Sequence, residues 1–322
     1  MKESETYKVG VIGLGLLGRG IAASLIAGDV DVIAFTEPAS GYAAARAVIQ
    51  DSIDDLIRHG EQPSSLSRGW KARYVEAEEL CELRGCDYVI ESISEDLDAK
   101  SVLFDSLETL IGESIPIASN TSAIPISVLQ QGRRCPNRFV GMHWAEPCHL
   151  TRFLEVVRGR HTDEPTLRST LALARRTGKE PTLVEKDIEG FIVNRLGYAM
   201  YREALYLLEA GVGDAEQIDL AFRNAMGLWS SIAGPFRWMD LTGLPAYAKV
   251  MKRLFPLLNR DTEVPKTMQD LVSNGALGIA NGRGFYTYTD QEREDWQRRL
   301  HENVWRVREM QNTEFPIDPE SR

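Results

Sequence analysis

An apolar, strand-like run over residues 9–12 passes without a break into Gly13-Leu14-Gly15-Leu16-Leu17-Gly18 and then into helical periodicity, and no other feature constrains the chain as much. A G-x-G-x-x-G turn between a strand and a helix belongs to a βαβ unit. Its first glycine makes the tight turn, its second lets a pyrophosphate approach the backbone, and its third lets helix pack on strand. Leu16 and Leu17 offer backbone N–H groups at the helix N-terminus, where the unpaired amides and the helix dipole favour an anion. The implied ligand is a dinucleotide. At the end of the second strand, where an acid for the ribose hydroxyls is expected about twenty residues on, the chain reads Phe35-Thr36-Glu37-Pro38. Glu37 can accept from the 2′-hydroxyl of NAD and would repel the extra phosphate of NADP, so NAD is the expected cofactor.

From Tyr7 to about residue 187, short β-branched runs alternate with helical periodicity. Strands are expected over 8–12, 32–35, 88–90, 115–119, 139–143, 153–157 and 182–184, and helices over 18–27, 43–59, 97–110 and 164–177. Several strand runs are continuously apolar, as when helices cover both faces of a parallel sheet. A doubly wound, Rossmann-type α/β domain over residues 1–187 follows. After Glu189-Gly190 the runs 191–210, 214–226, 235–258 and 264–273 are helical with almost no strand signal, so residues 188–322 are expected to form an all-α substrate and dimerisation domain. Its last segment, 290–310, carries Trp296, Leu300 and Val304 at helical spacing, an amphipathic extension. Along 191–210, Tyr198, Met200, Tyr201, Leu205, Leu207 and Leu208 point to more than one apolar face, which predicts a homodimer with a two-fold interface. The tail beyond Gln311, with Pro316 and Pro319, is expected to fray.

Composition excludes several classes of function. Over 322 residues, apolar side chains make up 43% and charged ones 26%, ordinary globular values, and the formal net charge of −10 argues against nucleic acid or an anionic membrane as the main partner. Cys81, Cys86, Cys135 and Cys148 match neither a metal knuckle nor a secreted disulfide framework, so no metal site is expected. The charged start, Met1-Lys2-Glu3, lacks the pattern of a signal peptide, and no stretch approaches the roughly 18 apolar residues of a membrane span. A cytoplasmic protein acting on a small molecule is the expectation.

Five stretches then fall in order: the glycine loop; residues 89–100; Ser119-Asn120-Thr121-Ser122; Gly141-Met142-His143-Trp144-Ala145-Glu146-Pro147 with Phe153-Leu154-Glu155; and Gly190-Phe191-Ile192-Val193-Asn194-Arg195. This series resembles the 3-hydroxyacyl-CoA dehydrogenase family, and Gly282-Arg283-Gly284-Phe285-Tyr286 resembles its closing turn. The resemblance implies an NAD-dependent oxidoreductase that moves a hydride between NAD and C3 of a 3-hydroxyacyl substrate. His143 ends one strand and Glu155 lies within the next, so a sharp connection through Pro147 sets imidazole and carboxylate side by side. In such a general base the carboxylate holds the tautomer and stabilises the imidazolium. The family's motifs carry Ser122 and Asn194 over as groups that hydrogen-bond the reacting oxygen or the neighbouring carbonyl, although helix capping is another use for both residue types. Glu95 and Lys100 match positions that in the family touch the nicotinamide side of the cofactor. Read without a ligand, Ser94, Glu95 and Asp96 would cap a helix N-terminus.

The chain also departs from the family's pattern. Where relatives read His-x-x-Asn-Pro, it has Glu146, an acid beside the catalytic base and the nicotinamide. Asp51, Asp54 and Asp55 stand where acyl-CoA members carry lysines, and alkyl residues 276–280 precede the closing turn, although Arg46, Arg58, Arg68, Lys71 and Arg73 supply cations nearby. The charged extension resembles the branch acting on free hydroxy acids such as gulonate or carnitine, which includes lambda-crystallin, a lens protein. Met142-His143-Trp144 and the run 122–126 resemble a relative that oxidises a pyridine aldehyde in vitamin B6 breakdown. A dehydrogenase of a small polar acid or aldehyde without CoA, and a non-catalytic crystallin-like protein, therefore stand as alternatives.

Overall fold

In the computed structural model, which describes residues 7–317, the glycine turn leads from the first strand of an eight-stranded sheet into the first helix. The strands are β1 Lys8–Ile12, β2 Asp31–Phe35, β3 Tyr74–Glu76, β4 Tyr88–Glu91, β5 Ile117–Ser119, β6 Phe139–His143, β7 Phe153–Val157 and β8 Glu180–Val184, in the spatial order β3-β2-β1-β4-β5-β6-β7-β8. The helices of this half are α1 Leu16–Ala27, α2 Gly41–Arg58, the single turn α3 Leu66–Gly69, α4 Leu97–Leu110, the single turn α5 Ile126–Leu129, and α6 Glu164–Arg176. The order reverses at β1, beside β4, which is where a doubly wound sheet opens its ligand crevice at the carboxyl ends of the strands.

Burial on both faces explains the apolar runs. Along β1, Val9 and Val11 enter a core that includes Ile21, Leu25, Tyr88, Met142 and Leu154, whereas Ile12 enters a second core with Val89, Phe104, Phe139 and Phe191. Successive residues of a strand point to opposite faces, so the two cores lie on either side of the sheet. Helix ends follow local chemistry. Asp96 caps α4 by accepting from Ala99 N, and Asp163 caps α6 by accepting from Thr166 N, each such cap being worth about 1 kcal/mol.

Two features depart from the expected pattern. The sheet is not wholly parallel, because β6 and β7 pair antiparallel in a register that sets His143 directly opposite Glu155. Residues 144–152 are too few for a crossover, and only an antiparallel return is open to so short a connection. The short edge strand β3 has no counterpart among the expected strands, since three residues carry too little periodicity to be read.

The described chain divides into two compact units, the first ending at Asn194 and the second spanning Arg195–Pro316. The second unit follows from α7 Val193–Glu209, which begins two residues before the boundary, and contains α8 Ala215–Trp229, α9 Pro235–Thr242, α10 Leu244–Leu254, α11 Lys266–Ser273 and α12 Asp290–Glu314. The single helix expected over 235–258 is broken at Gly243, whose φ of +104° suits only glycine, with Pro245 in the first turn of α10. Helix α12 opens on a reciprocal capping box between Thr289 and Glu292 and runs through Glu314, beyond the expected onset of fraying; Pro319 lies outside the described residues. Among the described residues no helix is long and apolar enough to cross a membrane.

Candidate active site

The glycine loop is a preformed cradle. Gly13 holds φ at +88° and its N–H donates to Phe35 O at 2.8 Å, so the turn is tied to the end of β2. A Cβ on Gly18 would stand 1.8 Å from Gly13 O, which makes this glycine obligatory for strand and helix to meet. Gly15 is different: a Cβ there would meet nothing within 4 Å, so the space over it is open. No side chain caps α1 and no acid stands in its first turn. Amides without protein acceptors beside open space fit the pyrophosphate of a dinucleotide. Glu37 is exposed at the end of β2, with its carboxylate free of protein partners among the described residues.

At the carboxyl end of β6, His143 Nδ1 lies 2.8 Å from Glu155 Oε2, and the imidazole is only 6% exposed. Glu155 Oε1 accepts from the N–H groups of Ile192 and Val193, at 3.0 and 2.9 Å. The carboxylate thus accepts at both oxygens, which assigns the Nδ1 proton to His143 and leaves Nε2 as an acceptor. Phe153 and Phe191 flank the ring at centroid distances of 5.8 and 5.7 Å.

Ser122 sits in the turn after β5. Its N–H donates to Glu95 Oε1 at 2.9 Å, and its carbonyl accepts from Asn194 Nδ2 at 2.7 Å. Asn194 therefore spends one of its N–H bonds on the Ser122 backbone. Lys100 has no exposed surface. Its Nζ is 2.6 Å from Glu91 Oε1 and 3.5 Å from Glu95 Oε2, so the fold sets it between two carboxylates. The capping role open to Glu95 is taken by Asp96.

Glu146 stands at an exposed rim, its Oε1 3.7 Å from where a Cβ of Gly20 on α1 would lie. Desolvation raises its pKa above the ordinary carboxylate value, against the opposing pull of Arg19, the Cys148 backbone and Lys179. Leu16, Leu17, His143, Glu146, Phe153 and Asn194 share one open cleft of about 340 Å³, which joins the glycine loop to the His143–Glu155 pair. Glu37 lies apart from this cleft, at the end of β2.

Some structural partners carried no assignment from the sequence. Asn120 Oδ1 accepts from Trp144 N at 3.0 Å while its Nδ2 donates to Ser92 Oγ at 3.0 Å, tying the residue after His143 back to the end of β4. Buried Lys179 donates to Cys148 O and Thr151 O and lies over the Trp144 ring, pinning the connection that carries Glu146. Asn120 and Glu91 stand inside the quoted motifs; nothing in the sequence singles out Lys179.

Known proteins resemble this chain over most of its length. Residues 8–188 match the family model "3-hydroxyacyl-CoA dehydrogenase, NAD binding domain", and residues 190–288 match "3-hydroxyacyl-CoA dehydrogenase, C-terminal domain". The chain belongs to the 3-hydroxyacyl-CoA dehydrogenase family. As a member it is an NAD-dependent oxidoreductase acting on CH–OH groups. It is 34% identical to 5-formyl-3-hydroxy-2-methylpyridine 4-carboxylate 5-dehydrogenase of Mesorhizobium japonicum over 286 residues, covering 88% of this chain and 91% of the relative. It is 32% identical to 3-hydroxybutyryl-CoA dehydrogenase of Bradyrhizobium diazoefficiens over 282 residues, 87% of this chain and 95% of the relative. Among solved structures, a 5-formyl-3-hydroxy-2-methylpyridine 4-carboxylic acid 5-dehydrogenase superposes with a TM-score of 0.88 at 31% identity, over 95% of this chain and 98% of its own. An (S)-3-hydroxybutyryl-CoA dehydrogenase from Ralstonia eutropha gives 0.74 at 30%, over 89% and 100%. The family match ends at residue 288, before α12 begins.

Proposed function

We propose that this dehydrogenase moves a hydride between NAD and C3 of a 3-hydroxyacyl substrate, with His143 as general base, Glu155 as its orienter, and Ser122 and Asn194 as hydrogen-bonding groups for the reacting oxygen. The observation that carries the reading is the His143–Glu155 pair, 2.8 Å apart, whose imidazole lines the same cleft as the exposed first turn of α1 after the glycine loop. Nε2 of His143 takes the hydroxyl proton as the C–H bond breaks. Glu155, fixed by two backbone amides, stabilises the resulting imidazolium. The Ser122 hydroxyl, without a hydrogen-bond partner among the described residues, is available to the oxygen on which charge develops. Gly13, Gly15 and Gly18 with the Leu16 and Leu17 amides would hold the pyrophosphate of NAD, Glu37 its ribose, and Glu95 and Lys100 its nicotinamide side, and the bound cofactor would supply the hydride acceptor. Glu146 lies within reach of substrate or nicotinamide. Residues 1–187 bind the cofactor in this reading, and 188–322 supply substrate contacts and a homodimer interface. The free thiols Cys81, Cys86, Cys135 and Cys148 suit a reducing, cytoplasmic compartment.

A second reading, a compact polar acid or aldehyde without CoA, has one observation in its favour. Three of the five cations near α2 that would meet CoA phosphates are already paired with acids, Arg46 on Glu76, Arg58 on Asp55, and Arg73 on Asp29 and Asp31, whereas Arg68 and Lys71 form no ion pair among the described residues. NADH absorbance decides between them. Fast loss of NADH with acetoacetyl-CoA at a micromolar KM supports the thioester. Turnover of a free hydroxy acid or aromatic aldehyde, unchanged by added CoA, supports the second reading, and no turnover of any candidate supports a non-catalytic protein.

A further inference from the structure

The connection from His143 to Glu155 brings a carboxylate to the cleft and holds it there. Asn120 Oδ1 accepts from Trp144 N at 3.0 Å, and buried Lys179 donates to Cys148 O and Thr151 O, so the chain is tied on either side of Glu146. The connection also packs closely against α1: a Cβ on Gly20 would come 2.9 Å from Cys148 Cβ and 3.7 Å from Glu146 Oε1. Glu146 therefore stands on the α1 wall of the cleft, beside the helix whose first amides suit a pyrophosphate.

The lining of this cleft is apolar apart from His143, Asn194 and Glu146, and among the described residues no lysine or arginine lines it. Glu146 forms no ion pair among the described residues; its near neighbours are the Cys148 backbone and, 4.0 Å from Oε1, the Cys148 thiol. A carboxylate at the edge of an apolar cleft is stabilised most by a cation, and here the protein brings none into contact with it. The same position is a neutral asparagine in the pattern of relatives, so the negative charge is this chain's own.

We propose that Glu146 sets which redox form of the cofactor the enzyme prefers, its carboxylate favouring the cationic nicotinamide of NAD+ over the neutral ring of NADH. The role rests on the proposed reading of this cleft as the reaction site. Oxidation of the substrate carbon adds a hydride to the ring and cancels its positive charge, while the hydroxyl proton goes to Nε2 of His143. The pyrophosphate and riboses are the same in both forms, so any repulsion between them and Glu146 cancels in the ratio of the two affinities. What remains is the charge of the ring. Glu146 thus holds the oxidised cofactor and hastens release of the reduced one, which suits turnover in the direction of oxidation; the equilibrium between free reactants is untouched. Desolvation raises the Glu146 pKa, and a cationic ring beside it pulls the other way, as Arg19, the Cys148 backbone and Lys179 already do.

The test is the ratio of NADH to NAD+ affinity for the full chain at pH 8, NADH by fluorescence and NAD+ by calorimetry. No substrate is present, so no proton has passed to His143. Glu146→Gln keeps the size of the side chain and removes its charge, and is expected to shift the ratio about tenfold toward NADH, chiefly through weaker NAD+ binding. Glu146→Asp keeps the charge and should stay within about threefold of wild type. An unchanged ratio in Glu146→Gln, or an equal loss of both affinities, overturns the proposal, and so does a Glu146→Asp variant that behaves like Glu146→Gln. Turnover of His143→Ala separates this result from the reading beneath it. An inactive His143→Ala beside an unchanged ratio in Glu146→Gln removes the redox preference alone, whereas a fully active His143→Ala removes the reaction site on which it rests.

Discussion

Glu155 spends its two oxygens on different tasks, one on the His143 imidazole and one on the amides of Ile192 and Val193 where α7 begins. A glutamine there must present its NH2 to one of those partners. If its oxygen keeps the amides, its NH2 faces Nδ1 and drives the imidazole proton to Nε2, the wrong tautomer for a base. His143→Ala should lower kcat by roughly two to four orders of magnitude with NAD affinity nearly intact, and Glu155→Gln should cost less; surviving turnover in His143→Ala would exclude it as the base. Glu37 should make NAD bind more tightly than NADP by calorimetry, and equal affinities would remove its assignment. The two shifted carboxyls have opposite linkage signs. Glu95, depressed below its ordinary 4.5, contributes stability that is present above pH 4.5 and lost as pH falls through its lowered value. Glu146, raised above 4.5, is ionised at a cost that is absent below that pH. Melting curves should therefore place Glu95→Gln below wild type and Glu146→Gln above it at pH 7, both differences shrinking in acid.

At the scale of elements, the β1–α1 junction separates folding from binding within one motif. Gly18→Ala would drive a Cβ to 1.8 Å from a backbone carbonyl, so strand and helix must part at a cost of about 3 kcal/mol or more. Gly15→Ala meets nothing within 4 Å at a φ of −66°, and should leave Tm close to wild type. Its methyl group nonetheless enters the space a pyrophosphate needs. Calorimetry and thermal melting should therefore show Gly18→Ala losing both stability and NADH affinity, and Gly15→Ala losing affinity alone. Equal NADH affinity in Gly15→Ala and wild type would put the dinucleotide elsewhere.

For the whole molecule, the contrast between the two units carries the prediction. The first buries two apolar cores about its sheet, whereas the buried hydrophobic side chains of the second, among the described residues, are Ala233 and Trp305. Leu196, Tyr198, Tyr201, Leu228, Phe236 and Leu241 of the second unit are exposed in the single chain. Apolar surface of that extent calls for cover, and a two-fold related copy supplies it most simply. Light scattering should give a dimer at micromolar concentration, and a monomer there would refute the proposed assembly.

The sequence alone determined what local chemistry can write. The glycine spacing between a strand and a helix, the apolar runs of β1, β4 and β6, and the Asp caps are each settled within a few residues, so the Rossmann-type half and the helical half were both legible. His143 and Glu155 were legible as a pair because the short, proline-bearing connection between their strands leaves them nowhere else to meet. Tertiary structure decided whatever depends on partners far along the chain. The antiparallel register that opposes His143 and Glu155 is a property of two strands together, and β3 exists only because β2 offers an edge. Lys100 reads only through the resemblance, as a position on the nicotinamide side of the cofactor, and its burial between Glu91 and Glu95 appears in the fold alone. Ser122 reads as a capping residue until Glu95 and Asn194 hold its backbone. A charge or hydroxyl acquires its role from what desolvates and pairs it, and those neighbours are assembled only when the chain folds.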